Sequence, residues 1–372
     1  MSTNGAIAIP QTENLANKRF VMDAMAAIAA CDSGSVAKAL DDACHEGFEW
    51  RGPHPLNEMN GTQAVAETAW APLLNAFPDL ERRDEIIVGG RYVDRFGQSR
   101  DQVACMGGFM GTFKQDWLDI PATGQPVLIR YGEVHEMRDG KIVQSNCLWD
   151  ILDVIRQAGF WPLPPSWGTE GLWRGPITGD GLVLKEQNME QGLASIAQTL
   201  AMHRTLGAYN DHEMRGREGL ISMPQRDHWH EKLMWYGPAG IGTTRGLAGF
   251  VDFHQLPFRL TWPGRTGGQS IIDKGGDPRG GHYIQIGDGP YSVTGGWPSV
   301  IANHTGTGGV FGSGPTNRPV EMRVMDFYLH HEGKIRENWV PLDVIHVLLQ
   351  QGVDVMARVR DQFGRNRLGL RH

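Results

Sequence analysis

The stretch PATGQPVLIRYGEVHEMRDGKIVQSNCLWDILDVIRQAG (residues 121–159) recurs without a gap as GPTNRPVEMRVMDFYLHHEGKIRENWVPLDVIHVLLQQG (residues 314–352). The identical positions pair in register: Arg130 with Arg323, Gly140-Lys141-Ile142 with Gly333-Lys334-Ile335, and Asp150 with Asp343. An earlier block, Trp50-x-Gly52-Pro53, recurs as Trp235-x-Gly237-Pro238. Two copies of a unit this long predict two similar domains rather than a solenoid.

Composition narrows the class of protein. A chain of 372 residues that is 40% hydrophobic can bury two ordinary cores. The net charge of -7 provides no basic stripe, which argues against a nucleic-acid partner. No apolar stretch reaches membrane-spanning length, and the first residues lack a signal-peptide pattern, so we expect a cytoplasmic protein without a membrane partner. The four cysteines show no CxxC spacing, which is typical of reduced thiols.

The order of predicted elements is the same in both halves. Apolar periodicity predicts helices over residues 14–30, then to about Cys44, and over 62–74. Strands are expected over 85–88, 100–107, 127–137 and 141–149, with Asp139-Gly140 as a two-residue hairpin turn. Asp150 is expected to cap a closing helix that ends at Gly159. The second half repeats this order but contains a glycine-rich stretch, residues 262–318, that we interpret as long loops between short strands.

These boundaries predict a first domain over residues 14–160, a linker over 161–180 that is rich in Pro, Gly and Trp and still packs, and a second domain over 181–360. Helices followed by a curved antiparallel sheet, twice, give an α+β class.

The features follow one another in this order: helices, the WxGP block, Phe77-Pro78-Asp79, the strands, the (D/E)GKI hairpin and an Asp-led last helix. This order resembles that of the SnoaL-like polyketide cyclase family, within the nuclear transport factor 2-like superfamily. The resemblance implies two cone-shaped α+β barrel domains. It also implies cyclase-like isomerase or lyase chemistry by an acid-base carboxylate on the last strands, with no cofactor and no metal. Because such domains commonly pair through their sheets, it implies an intramolecular pseudo-dimer and allows a homodimer.

One departure from the family pattern concerns the last strand, where the resemblance implies Glu-His-Trp followed by Asp. The second copy has Glu337-Asn338-Trp339-Val340, and the first has Gln144-Ser145-Asn146-Cys147. The acid after Trp is missing from both, which weakens the inference of polyketide cyclisation and leaves proton transfer in general open.

Hairpin register predicts which side chains share a face. With Glu332-Gly333 as the turn, Asp326 should lie opposite Trp339, Tyr328 opposite Glu337, and His330 opposite Ile335. Alternation along a strand then predicts a ligand-facing set. That set consists of Val324, Asp326, Tyr328, Glu337 and Trp339.

The acid in this set suggests chemistry. Desolvation beside Trp339 would raise the pKa of Asp326 toward neutrality, and Tyr328 could donate to a developing enolate oxygen. We therefore assign catalytic roles to Asp326, Tyr328, Glu337 and His230. The alternative is that Asp326 pairs with an arginine, or faces solvent, and is structural.

The remaining pocket positions rest on residue type. Trp339, Trp235, Tyr236, His304 and Val324 are assigned to substrate binding. In the first half, the corresponding face carries Tyr131, Glu133, His135, Gln144 and Asn146, which we interpret as a solvated polar face of a degenerate domain. Arg130 and Arg323 are expected to pair with carboxylates, possibly those of the helix caps Asp150 and Asp343.

The leading hypothesis is a cofactor-independent acid-base enzyme of cyclase, isomerase or dehydratase type, acting on an apolar carbonyl compound in the second domain. The rival is a non-catalytic ligand-binding or assembly protein. A third interpretation, a metal enzyme that uses His228 and His230, lacks a strong zinc spacing.

Overall fold

The computed structural model describes residues 5–94, 96–206, 215–263, 266–267 and 281–369. The first half contains, in chain order, β1 (Gly5–Ile7), α1 (Gln11–Ala29), α2 (Val36–Ala43), β2 (Cys44–Arg51), β3 (Glu58–Asn60), α3 (Thr62–Val65), a π-helical turn (Ala66–Trp70), α4 (Ala71–Ala76), β4 (Glu81–Val93), β5 (Ser99–Thr112), β6 (Pro126–Arg138), β7 (Lys141–Trp149) and α5 (Ile151–Gln157).

The second half repeats this order after the linker. Its elements are α6 (Met189–Thr205), α7 (Gly216–Ser222), a 3-10 turn (Pro224–Asp227), β8 (Trp229–Tyr236), β9 (Thr244–Arg245), α8 (Gly246–Phe250), a π-helical turn (Val251–Gln255), α9 (Leu256–Thr261), β10 (Thr266–Gly267), β11 (Ile284–Asp288), β12 (Tyr291–Asn303), a 3-10 turn (Val310–Gly312), β13 (Pro319–His331), β14 (Lys334–Trp339), α10 (Val344–Gln350) and α11 (Val355–Gly369).

Each half forms a seven-stranded sheet with the same central order. The first runs β1-β4-β5-β6-β7-β2-β3, and the second runs β10-β12-β13-β14-β8-β9, with β11 also paired to β12. The predicted α+β class is confirmed, but the sheets are mixed: β2 runs parallel to β7, and β8 runs parallel to β14. The long connection through helices between these partners permits the parallel pairing, which a hairpin would not.

The glycine-rich stretch holds more regular structure than expected. The long strand β12 occupies residues 291–303, and β11 forms a hairpin with it. The prediction of short strands is therefore wrong here, while the glycines of residues 268–280 lie outside the described residues.

Both predicted two-residue turns are confirmed. Asp139 and Gly140 have φ of 50° and 73°, and Glu332 and Gly333 have φ of 54° and 73°. Positive φ at both central residues is the geometry of the type I′ turn, whose twist matches that of the strands it joins.

The two sheets pack on each other through the faces that point away from their own helices, here called the outer faces. Apolar outer-face residues from both halves form one buried cluster that includes Val134, Leu148, Met325 and Phe327. A side-chain carbon added at Gly132 would lie 2.4 Å from the ring of Pro341, so the halves approach closely at this point. The arrangement is that of a dimer within one chain.

Two symmetric contacts cross between the halves at the predicted helix caps. The carboxylate of Asp150 accepts bonds from Asp153 N (3.1 Å) in its own helix, from Arg130 (2.6 Å), and from Ala239 N (3.0 Å) of the other half. The second half repeats this with Asp343, His346 N (3.1 Å), Arg323 (3.2 Å) and His54 N (2.9 Å). The expected pairing of each arginine with a cap is confirmed, and the WxGP loop is explained because it supplies the crossing N–H.

A buried ion pair also joins the halves. Lys18 of α1 lies 2.6 Å from the carboxylate of Asp288, which ends β11, and both side chains are only 1% exposed. The same carboxylate oxygen accepts from Gly89 N at 3.0 Å. Since a buried charge needs such partners, this contact fixes the β11–β12 hairpin of the second half against the first.

Candidate active site

A β-bulge decides which side chains of β13 and β14 face the helices of the second half, on what is here called the inner face. His330 lies opposite Ile335 as expected, but the register shifts there, and Tyr328 lies opposite Asn338 and Phe327 opposite Trp339. The predicted partners of Asp326 and Tyr328 are therefore wrong. One extra residue in a strand reverses the face of everything beyond it.

The bulge removes two predicted members from the site. Glu337 and Trp339 lie on the outer face, where the indole stacks on Tyr236 with ring centres 5.4 Å apart. Tyr236 donates to Glu337 (3.2 Å), and the Trp339 N–H donates to the carbonyl of Arg174 in the linker (2.7 Å). These three residues hold the linker and the two halves together and do not border Asp326.

Asp326 is half-buried on the inner face, with Asn338 Nδ2 3.5 Å from its Oδ1. Burial raises the pKa of this carboxyl to about 7, against hydrogen bonds from Asn338 and Tyr328 that lower it. Among the residues that the structure describes, no lysine or arginine forms an ion pair with it. A carboxyl in this state can take up and release a proton near neutral pH.

Tyr328 lies two residues along the same face and is buried. Its hydroxyl is 2.9 Å from Nε2 of His203, which projects from α6. Burial raises the pKa of Tyr328 well above its ordinary value, and the charge of Asp326 adds to the effect. The phenol therefore stays protonated and can donate a hydrogen bond.

A second histidine extends this group. The ring of His282 lies 4.8 Å from that of His203, and its Nε2 is 3.2 Å from Ser299 Oγ. Burial lowers the pKa of His203 to about 4 and that of His282 well below its usual value. Both rings are thus neutral at physiological pH.

The role of His203 was not predicted, although the sequence of α6 holds a signal for it. Ser195, Thr199 and His203 recur at four-residue spacing, and the first two lie on the buried stripe of the helix. Polar residues on a buried helical stripe need partners across the interface, and these face the sheet.

The other predicted residues separate into two groups. Trp235 and Val324 belong to the buried cluster between the inner face and the helices, and Trp235 stacks on His254 with centres 3.9 Å apart. His230 sits at the β13–β14 hairpin, 3.0 Å from Glu332, and His304 follows the far end of β12, bonded to Thr316 (3.1 Å). The structure does not bring His230 or His304 to Asp326.

The first half shows what the same positions look like when the acid is paired. The repeat aligns Glu133 with Asp326, and Glu133 is fully buried, 2.7 Å from Arg82 and 2.9 Å from Trp149 Nε1. Burial acts to raise the pKa of Glu133, but Arg82, His135 and Trp149 lower it to about 2. The prediction of a solvated polar face is wrong here, because Tyr131, Glu133 and His135 are buried inside the domain.

Aromatic packing fills the inner face of the first half. Trp149 lies between Trp70 and Phe109, with ring centres 5.3 Å and 5.5 Å away. Arg82 stands 4.3 Å from the centre of the Tyr131 ring. Glu133 is therefore held as a permanently charged, solvent-excluded group.

Two further features bear on ligands. A small groove of about 60 Å³, partly open to solvent, lies between the linker and the π-helical turn of the second half and is lined by Trp167, Phe253, His254, Phe258 and Phe311 among others. We place the candidate site at Asp326 instead, because the groove contains neither an acid nor Tyr328.

In the described ranges, no cluster of three or more His, Cys, Asp or Glu side chains could hold a metal ion. No helix of that part of the chain is long and apolar enough to span a membrane.

The chain matches one family model over part of its length. The family model described as SnoaL-like polyketide cyclase matches residues 21–158. A structure from Jannaschia sp. CCS1, which its name places among the SnoaL-like polyketide cyclases, is 20% identical, covers 43% of this chain and 100% of its own, and has a TM-score of 0.32. A nuclear transport factor 2-like protein of unknown function from Burkholderia pseudomallei K96243 is 12% identical over 38% of this chain and 95% of its own, with a TM-score of 0.27.

A third structure, from Streptomyces antibioticus, is placed by its name among the polyketide cyclases; it is 19% identical over 37% of this chain and 98% of its own, with a TM-score of 0.31. No curated protein sequence matches the chain. Residues 21–158 are a SnoaL-like domain, and the second half repeats its order of strands and helices.

Proposed function

We propose that the second half is a cofactor-independent acid-base enzyme of cyclase, isomerase or dehydratase type that acts on an apolar carbonyl compound. The observation that carries the proposal is the contrast between two equivalent acids. Asp326 has a pKa near 7 and no cation beside it among the described residues, whereas Glu133 is held by Arg82 with a pKa near 2. A base with a pKa close to the working pH is the one best suited to proton transfer.

In this proposal, the ionised Asp326 removes a proton from the carbon next to a carbonyl, and that electron pair moves onto the carbonyl oxygen. Tyr328 donates a hydrogen bond to this oxygen and so stabilises the enolate. Return of the proton to a different carbon gives isomerisation. Loss of a neighbouring hydroxyl as water gives dehydration, and attack of the enolate carbon on a second carbonyl closes a ring. Trp235 and Val324 would supply the apolar wall.

The first half acts, in the same proposal, as a built-in partner without its own chemistry. Its acid cannot exchange protons near neutrality, and its inner face is filled by Trp70, Phe109 and Trp149. It would contribute the outer-face contacts and the Lys18–Asp288 pair that hold the β11–β12 hairpin of the second half.

A panel of polycyclic and terpenoid ketones, screened by thermal shift and then assayed for turnover, tests the proposal. Asp326→Asn should keep ligand binding and lose turnover by about 10²–10⁴-fold, the usual contribution of a positioned general base. Asp227→Asn, which changes an exposed acid of the same half, is the matched control and should keep wild-type turnover.

The outcomes separate the rival functions. Turnover that survives in Asp326→Asn would show that Asp326 is not the base. Ketones that bind the wild type but are never converted would favour the non-catalytic ligand-binding function. For a converted ketone, turnover should rise with pH through about 7, since the base must be ionised to act.

A further inference from the structure

Two neighbouring histidines, His203 and His282, lie next to the tyrosine of the proposed site, and the proton transfer described above does not use them. We propose that His203, packed against His282, is a positioning residue. It directs the O–H of Tyr328 toward Asp326 in the free protein and toward the carbonyl oxygen of the substrate once the substrate is bound. The inference rests on the proposed function and concerns how that site is organised. The hydrogen-bond donors and acceptors of these side chains decide how the group is arranged.

A neutral histidine carries one N–H, so His203 has two possible arrangements. If the proton were on Nδ1, that N–H would be a buried donor without a partner, since Nδ1 bonds to none of the described residues. If the proton is on Nε2, it is donated to the phenol oxygen 2.9 Å away, and Nδ1 is left as a bare acceptor. Buried donors without partners are rarer than buried acceptors without partners, which favours the proton on Nε2.

The ionised form of Asp326 gives a second reason. If Tyr328 donated to His203, the phenol would turn its lone pairs toward the oxygens of Asp326, and the two acceptors would repel each other. With His203 as the donor, the O–H of Tyr328 is free to point at Asp326. Thr294 and Asp326 are the groups that remain near the phenol to accept this O–H.

His282 keeps this arrangement in place. Its ring lies 4.8 Å from that of His203 at a tilt of 56°, and burial lowers the pKa of both rings. Ser299 anchors the outer nitrogen of His282 at 3.2 Å. A charged His203 would donate from both nitrogens, so its neutrality is what leaves a single donor, directed at Tyr328.

A third histidine on the same face shows the difference between a structural and a positioning role. His330 uses both ring nitrogens, with Gln198 at one and Thr199 and Ser292 at the other, all within 3.1 Å. Among the described residues, His330 makes no hydrogen bond to Tyr328. We therefore assign no role in the site to His330.

The first test uses the wild-type protein with ¹⁵N-labelled histidine. The nitrogen resonances of His203, identified by their loss in His203→Gln, report the tautomer directly. We expect a protonated, pyrrole-type signal at Nε2 and an unprotonated, pyridine-type signal at Nδ1, unchanged between pH 6 and 8. The opposite tautomer would overturn the proposal. Only His203→Gln, the variant used to assign the signals, needs to fold like the wild type.

The second test follows the carboxyl carbon of Asp326 by ¹³C NMR in wild type, His203→Leu and His203→Gln, with Tyr328→Phe to show the full effect of losing the phenol. His203→Leu should raise the midpoint of Asp326 by about one pKa unit, since the hydrogen of Tyr328 is no longer held in place. Glutamine can donate an N–H to the phenol and should restore the midpoint. His331→Gln, on the exposed hairpin, is the matched control.

The outcomes keep this inference apart from the proposed function. A wild-type midpoint near 4 would contradict the proposed base itself. A midpoint near 7 that moves in Tyr328→Phe but not in His203→Leu would overturn only the positioning role. Equal midpoints in the leucine and glutamine variants would do the same.

Discussion

Replacing Asp326 with asparagine is expected to stabilise the folded protein at neutral pH while it removes the proposed base. The carboxyl pKa rises from 3.8 in the unfolded chain to about 7 in the fold, because burial disfavours the charged form. At about 1.4 kcal/mol per pKa unit, ionising Asp326 costs the folded state up to about 4 kcal/mol. Asparagine cannot ionise and avoids this cost.

The sign follows from proton binding. Below about pH 3.8 the carboxyl is protonated in both states, so the difference in stability between wild type and Asp326→Asn is constant. Between this value and pH 7 the unfolded chain releases a proton that the folded state keeps, so the wild type loses stability relative to the variant. Above pH 7 the difference levels off.

Urea denaturation of both proteins, at half-unit steps from pH 4 to 8, measures this difference. Other titrating groups are common to both proteins and cancel in the comparison. Any hydrogen bonds that asparagine makes differently shift the difference by a constant. If the stability difference between the wild type and Asp326→Asn does not change with pH across this range, Asp326 is not a desolvated acid without a cation beside it.

Three further changes test the roles assigned to other groups. Arg82→Met should destabilise the fold by about 3–5 kcal/mol at neutral pH, because Glu133 is left buried and unpaired. This loss of stability should shrink as pH falls from 4.5 toward 2, where Glu133 of the wild type becomes protonated. Denaturant titration at several pH values measures the loss and its pH dependence. Lys18→Met should cost a similar amount, because Asp288 loses its buried cation. His230→Gln should leave turnover of a converted ketone unchanged, because this ring lies at the hairpin.

Controls for these changes exist in the chain. Lys38 pairs with Asp42 in full solvent, so Lys38→Met should leave the denaturation midpoint unchanged. An equally large loss in that variant would mean that removal of a lysine, rather than burial of its partner, explains the result. A fall in turnover for His230→Gln, with no change in stability, would restore His230 to the site.

The tandem fold could be predicted because its signals are local and occur twice. The Asp-Gly and Glu-Gly turns, the Asp caps and the WxGP block each reflect short-range geometry, and each is found at equivalent positions in both halves. The repeat also aligned Asp326 with Glu133, so the surroundings of two equivalent acids could be compared.

The face of the last strand could not be predicted, because no turn residue or glycine marks the bulge beside Arg336. One extra residue moved Glu337 and Trp339 to the outer face. The pairing of Glu133 with Arg82 and the contact of His203 with Tyr328 join residues 51 and 125 positions apart. Such contacts depend on how helices and strands pack, which the periodicity of a single chain does not determine.

Proton exchange on a bound ketone tests most directly whether Asp326 is a base. The ketone that most stabilises the protein would be incubated with it in D₂O, and deuterium entering the carbon next to the carbonyl would be followed by NMR. We expect the wild type to speed this exchange and Asp326→Asn to lose the acceleration while still binding the ketone. Equal exchange with both proteins would contradict the assignment.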